Sequence, residues 1–189
     1  MTTHYIDIAL LPDPEFSQAH LLGALVAKLH RALVELGETG IGVSFPQYSL
    51  RPRSLGALLR LHGSEAGLQR LMALPWLKGM RDHVQCSAPL PAPAAAAQYL
   101  VRRRQFKTSA ERLRRRRMLR KGESAEQAAA AIPDGMERTP DLPYVQLRST
   151  STGQAFCLFI DQTLAQGAAG SEGFNAYGLS LGTSTVPWF

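Results

Sequence analysis

The sequence predicts an α+β protein with two domains, and three observations support this prediction. The first half alternates strand-like and helix-like segments in the order βαββαβ. A stretch rich in proline and alanine follows at residues 88–98 and is typical of a linker. Beyond it lies a short helical segment in which arginine is the commonest residue. We therefore expect an N-terminal domain over residues 1–87 and a smaller α+β domain with an arginine-rich helix over residues 99–189.

Each N-terminal element has a local signal. Residues 4–10 alternate apolar and polar side chains, as a half-buried strand does. Ser17 can cap a helix whose leucine and valine side chains recur on one face, and Gly37 can end it. A second helix is expected from Ser64 to Pro75, and strands at 41–46, 57–62 and 82–88. In this order the elements predict a ferredoxin-like domain, in which two helices cover one face of a sheet.

The C-terminal domain is expected to begin with a basic strand at residues 99–105. The pattern Thr108-Ser109-Ala110-Glu111 is a capping box for the arginine-rich helix, which we expect at about 109–121, with Gly122 just past its end. A second capping box at Ser124 predicts a short helix that Pro133 ends. Further strands are expected around 144–149, 155–160 and 173–180.

Composition excludes several classes of protein. Of the 189 residues, 45% are hydrophobic and 19% charged, which suits a folded core rather than a disordered chain. No run of 18 apolar residues could span a membrane, and the N-terminus lacks the basic and apolar regions of a secretory signal. Cys86 and Cys157 cannot build a disulfide framework. We expect a soluble protein of the cytoplasm.

The positive charge is concentrated in one segment. Residues 101–121 contain nine arginines, two lysines and one glutamate, and the rest of the chain carries a net charge of −4. On a helix, four of the arginines fall within an arc of about 140°; these are Arg112, Arg115, Arg116 and Arg120. The helix has no apolar stripe that could insert into a membrane surface. A nucleic acid along this face is favoured over a merely solvated face, but composition does not separate RNA from DNA.

Motifs for metal or nucleotide chemistry are absent, so no metal and no cofactor is expected. There is no CxxC, HExxH, GxxxxGK[ST] or GxGxxG pattern. His30 falls beside the apolar face of the first helix, where it could present one ring nitrogen to a ligand or simply pack. The hydroxyl-rich stretch 147–154 is either a polar hairpin turn or a set of donors for a phosphate or ribose. Arg103, Arg104 and Gln105 have side chains suited to base edges.

Six motifs occur together in a fixed order along the whole chain. They are KLH (28–30), IGVSFP (41–46), ERLRRR (111–116), LRSTSTGQ (147–154), YGLS (177–180) and VPWF (186–189). This constellation resembles the CRISPR-associated endoribonucleases of type I-F (Ypest-subtype) systems, which process pre-crRNA. The resemblance implies metal-independent cleavage at the 3′ base of the repeat stem-loop by 2′-hydroxyl attack, which leaves a 2′,3′-cyclic phosphate and a 5′-hydroxyl.

The resemblance also implies roles for particular residues. His30 would be the catalytic histidine, Ser149 would hold the attacking ribose hydroxyl, and Tyr177 would orient the histidine. Phe156 would stack on the terminal base pair of the stem. The remaining residues implied in RNA binding are Arg103 and Gln105 at base edges, Arg112, Arg115, Arg116 and Arg120 on the helix, and Ser151 near the site.

The implied partners are the CRISPR repeat stem-loop, in pre-crRNA and in mature crRNA, and other subunits of a type I-F surveillance complex. The protein is expected to act as a monomer on RNA. Two alternatives stay open from the residues themselves. One is a non-catalytic subunit that holds an RNA hairpin, and the other is a structural protein that binds DNA through the basic helix.

Overall fold

The computed structural model describes residues 2–106, 110–133, 141–149, 152–167, 170 and 172–189, without the Arg112 side chain. Its mixture of helices and antiparallel sheets confirms the α+β prediction. The helices are α1 (Gln18–Leu36), α2 (Glu65–Ala73), α3 (Ala110–Lys121) and α4 (Ala125–Ala131). The strands are β1 (His4–Leu10), β2 (Gly42–Ser44), β3 (Ser49–Leu50), β4 (Arg53–Ser54), β5 (Leu58–Gly63), β6 (Val84–Cys86), β7 (Leu90–Pro91), β8 (Ala97–Arg104), β9 (Tyr144–Arg148), β10 (Ala155–Leu164) and β11 (Val186–Trp188).

The N-terminal sheet has the strand order β2-β5-β1-β6, and every neighbouring pair is antiparallel. Strand β7 also pairs with β1. On β1 the alternation expected from the sequence is confirmed, because Ile6, Ile8 and Leu10 are buried. Helices α1 and α2 pack against this sheet and supply the other half of the core.

Helix α1 begins and ends where its capping residues predict. The Ser17 side chain accepts a hydrogen bond from the His20 main-chain nitrogen at 3.3 Å. Gly37 adopts the left-handed conformation with φ 61° that ends many helices. The buried face of α1 runs from Leu21 to Leu33, and His30 lies at its edge, partly exposed. The helix therefore carries a half-buried histidine beside a well-packed face.

The second sheet has the order β11-β8-β10-β9 and is also antiparallel. The buried Gln162 on β10 joins it to the N-terminal part by two hydrogen bonds to the main chain of Phe45, at 3.0 and 3.2 Å. The prediction of a strand at 173–180 is wrong, since these residues form a turn closed by an isolated bridge between Phe174 and Ser180. Gly173 and Gly178 have φ of 78° and 73°, values that interrupt a strand.

By the density of their contacts, residues 1–104 and 142–189 form one compact unit and residues 105–141 form another. In the second unit, α3 packs on α4, and Ser124 with Gln127 forms the expected capping box. Residues 88–98 contain β7 and the start of β8. The division into domains at this stretch stays a prediction. No helix within the described ranges combines the length and apolar character needed to cross a membrane.

A buried arginine ties the two sheets together. Arg60 on β5 binds both carboxylate oxygens of its cross-strand partner Asp7, at 2.6 and 2.8 Å, and donates to the main-chain oxygen of Phe189 at 2.9 Å. Its guanidinium also lies over the rings of Tyr5 and Phe189, at 4.6 and 4.1 Å from their centroids. Because Arg60 contacts Asp7, Tyr5 and Phe189 at the same time, it should contribute strongly to stability. Sequence reasoning missed this role.

We expect Arg60→Ala to lower the free energy of unfolding by about 3 kcal/mol, since breaking a partly buried pair leaves the Asp7 carboxylate uncompensated. Urea unfolding followed by circular dichroism measures the change. Arg70→Ala is the matched control, because Arg70 pairs with Glu38 at the surface and its loss should cost no more than about 1 kcal/mol. Equal losses in the two variants would contradict this account of Arg60.

His62 is buried and neutral. Its Nε2 lies 2.8 Å from the hydroxyl of Ser44, and no described group lies within hydrogen-bond distance of its Nδ1. Burial, with a smaller contribution from the nearby charge of Arg60, lowers the pKa of His62 from 6.5 to about 3. As the pH falls, the unfolded chain therefore takes up this proton before the folded protein does.

Because the folded-state pKa is lowered, the contribution of neutral His62 to the free energy of unfolding is fully present above pH 6.5. It is lost progressively between pH 6.5 and about 3. The free energy of unfolding should fall with falling pH over this range, with a slope that approaches about 1.4 kcal/mol per pH unit. His62→Gln should flatten the slope between pH 6.5 and 5, whatever it does to stability at pH 8. Urea unfolding at a series of pH values tests this, and an unchanged slope in His62→Gln would refute it.

Candidate functional site

His30 is held against the turn that contains Tyr177. Its Nδ1 lies 2.8 Å from the main-chain oxygen of Ala176, and its ring stacks on the Tyr177 ring with centroids 4.0 Å apart and planes 5° apart. A carbonyl oxygen can only accept, so Nδ1 carries the hydrogen and donates it. In the neutral imidazole, Nε2 is then the nitrogen without a proton. The arrangement leaves a base on a half-buried side chain.

Ser149 lies at the end of β9 and begins a tight turn to β10. Its main-chain nitrogen donates to the oxygen of Gln154 at 2.9 Å, and its own oxygen accepts from Gly153 at 2.8 Å. Its hydroxyl accepts from the Thr152 nitrogen at 3.3 Å. The described residues of the hydroxyl-rich stretch thus close a hairpin, and a further role of Ser149 stays a prediction. Ser151 lies outside the described residues.

Helix α1 and strand β9 approach each other closely. Gly23 of α1 lies against the main chain of Gln146, and a Cβ at position 23 would stand 2.7 Å from that carbonyl oxygen. A larger residue would therefore push the helix away from the strand. His30 lies further along α1, and Ser149 directly follows β9.

Arg103 and Phe156 come together on neighbouring strands. Arg103 is exposed on β8, opposite Ile160 of β10, and its guanidinium lies 6.0 Å from the centre of the half-buried Phe156 ring. This distance is at the limit of a cation–π contact. Arg104, the next residue, pairs with Asp161 at 2.7 Å. Gln105 follows β8 with its side chain exposed.

Some arginines of helix α3 bind other groups of the protein, and others are exposed. Arg114 donates from Nε to the main-chain oxygen of Ile132 at 2.8 Å, and Arg117 forms a close ion pair with Glu123. The hydrogen bond between Arg117 and Glu123 raises the pKa of the arginine and lowers that of the glutamate. The candidate RNA-binding residues Arg115, Arg116 and Arg120 are exposed. The Arg112 side chain lies outside the described part of the chain.

Neither a cluster of metal ligands nor the cavity beside α1 adds a catalytic group among the described residues. Among the described residues, no group of three or more His, Cys, Asp or Glu side chains could hold a metal ion. A cavity of about 690 Å³ runs beside α1 and β9 and is lined by residues that include Arg53 and Arg148, but not by His30, Ser149 or Tyr177.

Sequence reasoning missed two residues of the turn that contacts His30. Ala176 acts through its main-chain oxygen, which no residue type reveals. Asn175 accepts hydrogen bonds from the main chain of Tyr177 and Leu179. The signal was present as an asparagine close before a glycine, which is typical of a turn.

These features define a protein that presents a base on a half-buried histidine and carries a surface suited to a polyanion. The chain belongs to the family described as CRISPR-associated protein (Cas_Csy4), whose model matches residues 5–189. The family resemblance noted in the sequence is confirmed.

Two relatives carry the name CRISPR-associated endonuclease Cas6/Csy4. The chain is 50% identical over 186 residues to the relative from Pseudomonas aeruginosa (strain UCBPP-PA14), covering 98% of this chain and 99% of that protein. It is 44% identical over 188 residues to the relative from Escherichia coli (strain UTI89 / UPEC), with the same coverage. The family is thus one of CRISPR-associated endonucleases.

Proposed function

We propose that the chain is a metal-independent endoribonuclease that binds the CRISPR repeat stem-loop and cleaves pre-crRNA at the 3′ base of the stem. The observation that carries this proposal is the hydrogen bond from His30 Nδ1 to the Ala176 oxygen, because it leaves Nε2 as a base. The names of the two relatives support an endonuclease activity.

The chemistry needs a base and a fixed geometry. His30 Nε2 takes the proton from the ribose 2′-hydroxyl, and the 2′ oxygen attacks the adjacent phosphorus. The bond from phosphorus to the 5′ oxygen breaks, which leaves a 2′,3′-cyclic phosphate on one product and, after protonation, a 5′-hydroxyl on the other. General-base assistance of this kind is worth about 10²–10⁴-fold.

Two neighbours would place the reacting groups. Tyr177, stacked on His30, restricts rotation of the imidazole about its Cβ–Cγ bond. Ser149 would bind the attacking ribose hydroxyl, and its place in a closed turn supports this role because the turn holds the side chain in one position. Such alignment for in-line attack can contribute several kcal/mol to the rate.

Each compact unit carries residues proposed for RNA recognition. In the first, Arg103 would read a base edge and Phe156 would stack on the terminal base pair, with Ser151 nearby. In the second, Gln105 would read another base edge, while Arg115, Arg116 and Arg120, with Arg112, would bind phosphates along the groove of the A-form stem. The exposure of the first three helix arginines supports this assignment.

The same proposal covers the fold of the N-terminal domain, the location of the protein and its partners. The antiparallel order β2-β5-β1-β6 supports a ferredoxin-like N-terminal domain. We further propose a cytoplasmic protein that acts as a monomer on RNA, retains the mature crRNA and joins other subunits of a type I-F surveillance complex.

The test uses the end-labelled repeat RNA of the host, excess wild-type protein and EDTA. We expect one cut at the 3′ base of the stem, and no cut when the ribose at that position is 2′-deoxy. Binding is measured in parallel on the deoxy RNA. Tight binding without any cut of the all-ribose RNA would instead favour the non-catalytic hairpin-binding subunit, and a preference for duplex DNA would favour the DNA-binding alternative.

A further inference from the structure

Asn175 organises the turn that contacts His30. Its side-chain oxygen accepts hydrogen bonds from the main-chain nitrogens of Tyr177 and Leu179, at 2.8 and 3.1 Å. Its main-chain nitrogen donates to the oxygen of Leu179 at 2.9 Å, and its main-chain oxygen accepts from Gly178 at 2.8 Å. Both side-chain partners are donors, which requires the amide oxygen to face them. One residue thus shapes the chain over residues 175–179.

The two ends of this turn are attached to the N-terminal part of the chain. Phe174 is buried, and its main-chain nitrogen donates to the oxygen of Thr39 at 2.8 Å. The oxygen of Gly178 accepts from the Val43 nitrogen at 2.8 Å. A Cβ at position 178 would stand 2.6 Å from the Val43 side chain, and φ there is 73°. The ends are therefore fixed, and the path between them depends on the hydrogen bonds of Asn175.

That path carries both groups that orient His30. Ala176 supplies the oxygen that accepts from Nδ1, and Tyr177 supplies the ring on which the imidazole stacks. The first contact selects the tautomer with a free Nε2, and the second sets the plane of the ring. If the turn relaxed, the Nδ1 tautomer would lose its acceptor and the ring would gain freedom to rotate.

We propose that Asn175 is a positioning residue for the proposed cleavage reaction, acting on His30 through the Ala176 oxygen and the Tyr177 ring. This inference rests on the proposed function of His30. It assigns Asn175 no contact with RNA, so its loss should affect the cleavage step and not hairpin binding.

The first test compares single-turnover cleavage of the repeat RNA at saturating protein. We expect Asn175→Ala to lower the rate by about 10–100-fold, less than the about 10²–10⁴-fold that general-base assistance supplies, because the base itself remains. Its affinity for the 2′-deoxy hairpin should stay within about twofold of wild type. Ser184→Ala is the matched control, because the Ser184 hydroxyl accepts from the Gly173 nitrogen at 2.8 Å in the same loop, and no described hydrogen bond joins it to Ala176 or Tyr177. It should cleave at the wild-type rate.

Asn175→Asp separates positioning from mere structural support. The aspartate keeps an oxygen that can accept from Tyr177 and Leu179, so most of the rate should return at high pH. Its negative charge favours a protonated imidazole nearby, and the acid limb of the pH–rate profile should move to higher pH than in wild type. An Asp variant as slow as the Ala variant at every pH would overturn the proposal.

A spectroscopic measurement tests the same inference without activity. In wild type, nitrogen NMR should give the neutral His30 ring a protonated Nδ1 and an unprotonated Nε2, with His30→Ala used for assignment. Asn175→Ala should shift both nitrogens toward a mixture of tautomers. If wild type cleaves and Asn175→Ala cleaves equally fast with an unchanged spectrum, this inference alone fails. If wild type binds the hairpin but does not cleave, the proposed function fails, whatever the spectra of the Asn175 variants.

Discussion

Replacing His30 with alanine is expected to lower single-turnover cleavage of the repeat RNA by at least about 10³-fold, because the base and its alignment are lost together. Affinity for the hairpin should change by less than about threefold, since the imidazole is one small contact at the edge of a large electrostatic interface. Cleavage in EDTA and binding to the 2′-deoxy hairpin are measured side by side.

His20→Ala is the control for this experiment. His20 is another histidine of α1, exposed and in the first turn of the helix, so its loss removes the same side chain without touching Tyr177 or Ala176. We expect it to cleave at the wild-type rate. If His30→Ala also cleaved normally, His30 would be a packing residue and the proposed mechanism would be wrong.

Removing two surface arginines of α3 should have the largest effect on binding. We expect Arg116→Ala with Arg120→Ala to weaken hairpin binding by about 10²-fold and to reduce the slope of log affinity against log salt by about two, one for each lost phosphate contact. The cleavage rate at saturating protein should change little, because neither residue belongs to the His30 site. Titration at four salt concentrations measures both quantities.

A charge-matched variant distinguishes phosphate contacts from net charge. Arg51→Ala with Arg81→Ala removes two exposed arginines outside α3 and changes the net charge equally. Its affinity should fall by no more than a few fold, through the long-range field alone. If the two double variants lost affinity and salt dependence equally, α3 would not be the RNA-binding element.

Local signals predicted most of the secondary structure. The capping residues Ser17 and Gly37 placed both ends of α1, and the alternation in residues 4–10 placed β1, because these signals act between residues close in sequence. The same approach was wrong for 173–180, where apolar and aromatic residues resemble a strand. There the hydrogen bonds of Asn175 and the positive φ of Gly173 and Gly178 produce a turn instead.

The candidate site was less accessible to such reasoning. Helical periodicity placed His30 beside the buried face of α1 but left a packing role open. The roles of Ser149, Tyr177 and Phe156 came from family resemblance and stay predictions. Periodicity grouped Arg112, Arg115, Arg116 and Arg120 on one side of the helix. It could not foresee that Arg114 and Arg117 would bind Ile132 and Glu123.

The sequence by itself determined the α+β class, the bounds of α1 and β1, the concentration of charge near α3 and the membership of the family. Tertiary structure alone decided that Arg60 binds Asp7 and Phe189, and that the nitrogen of His30 meets the oxygen of a residue 146 positions away. The physical reason is the distance along the sequence over which each interaction acts. Caps and periodicity depend on neighbours within a few residues, whereas the tautomer of His30 depends on two distant segments packing together.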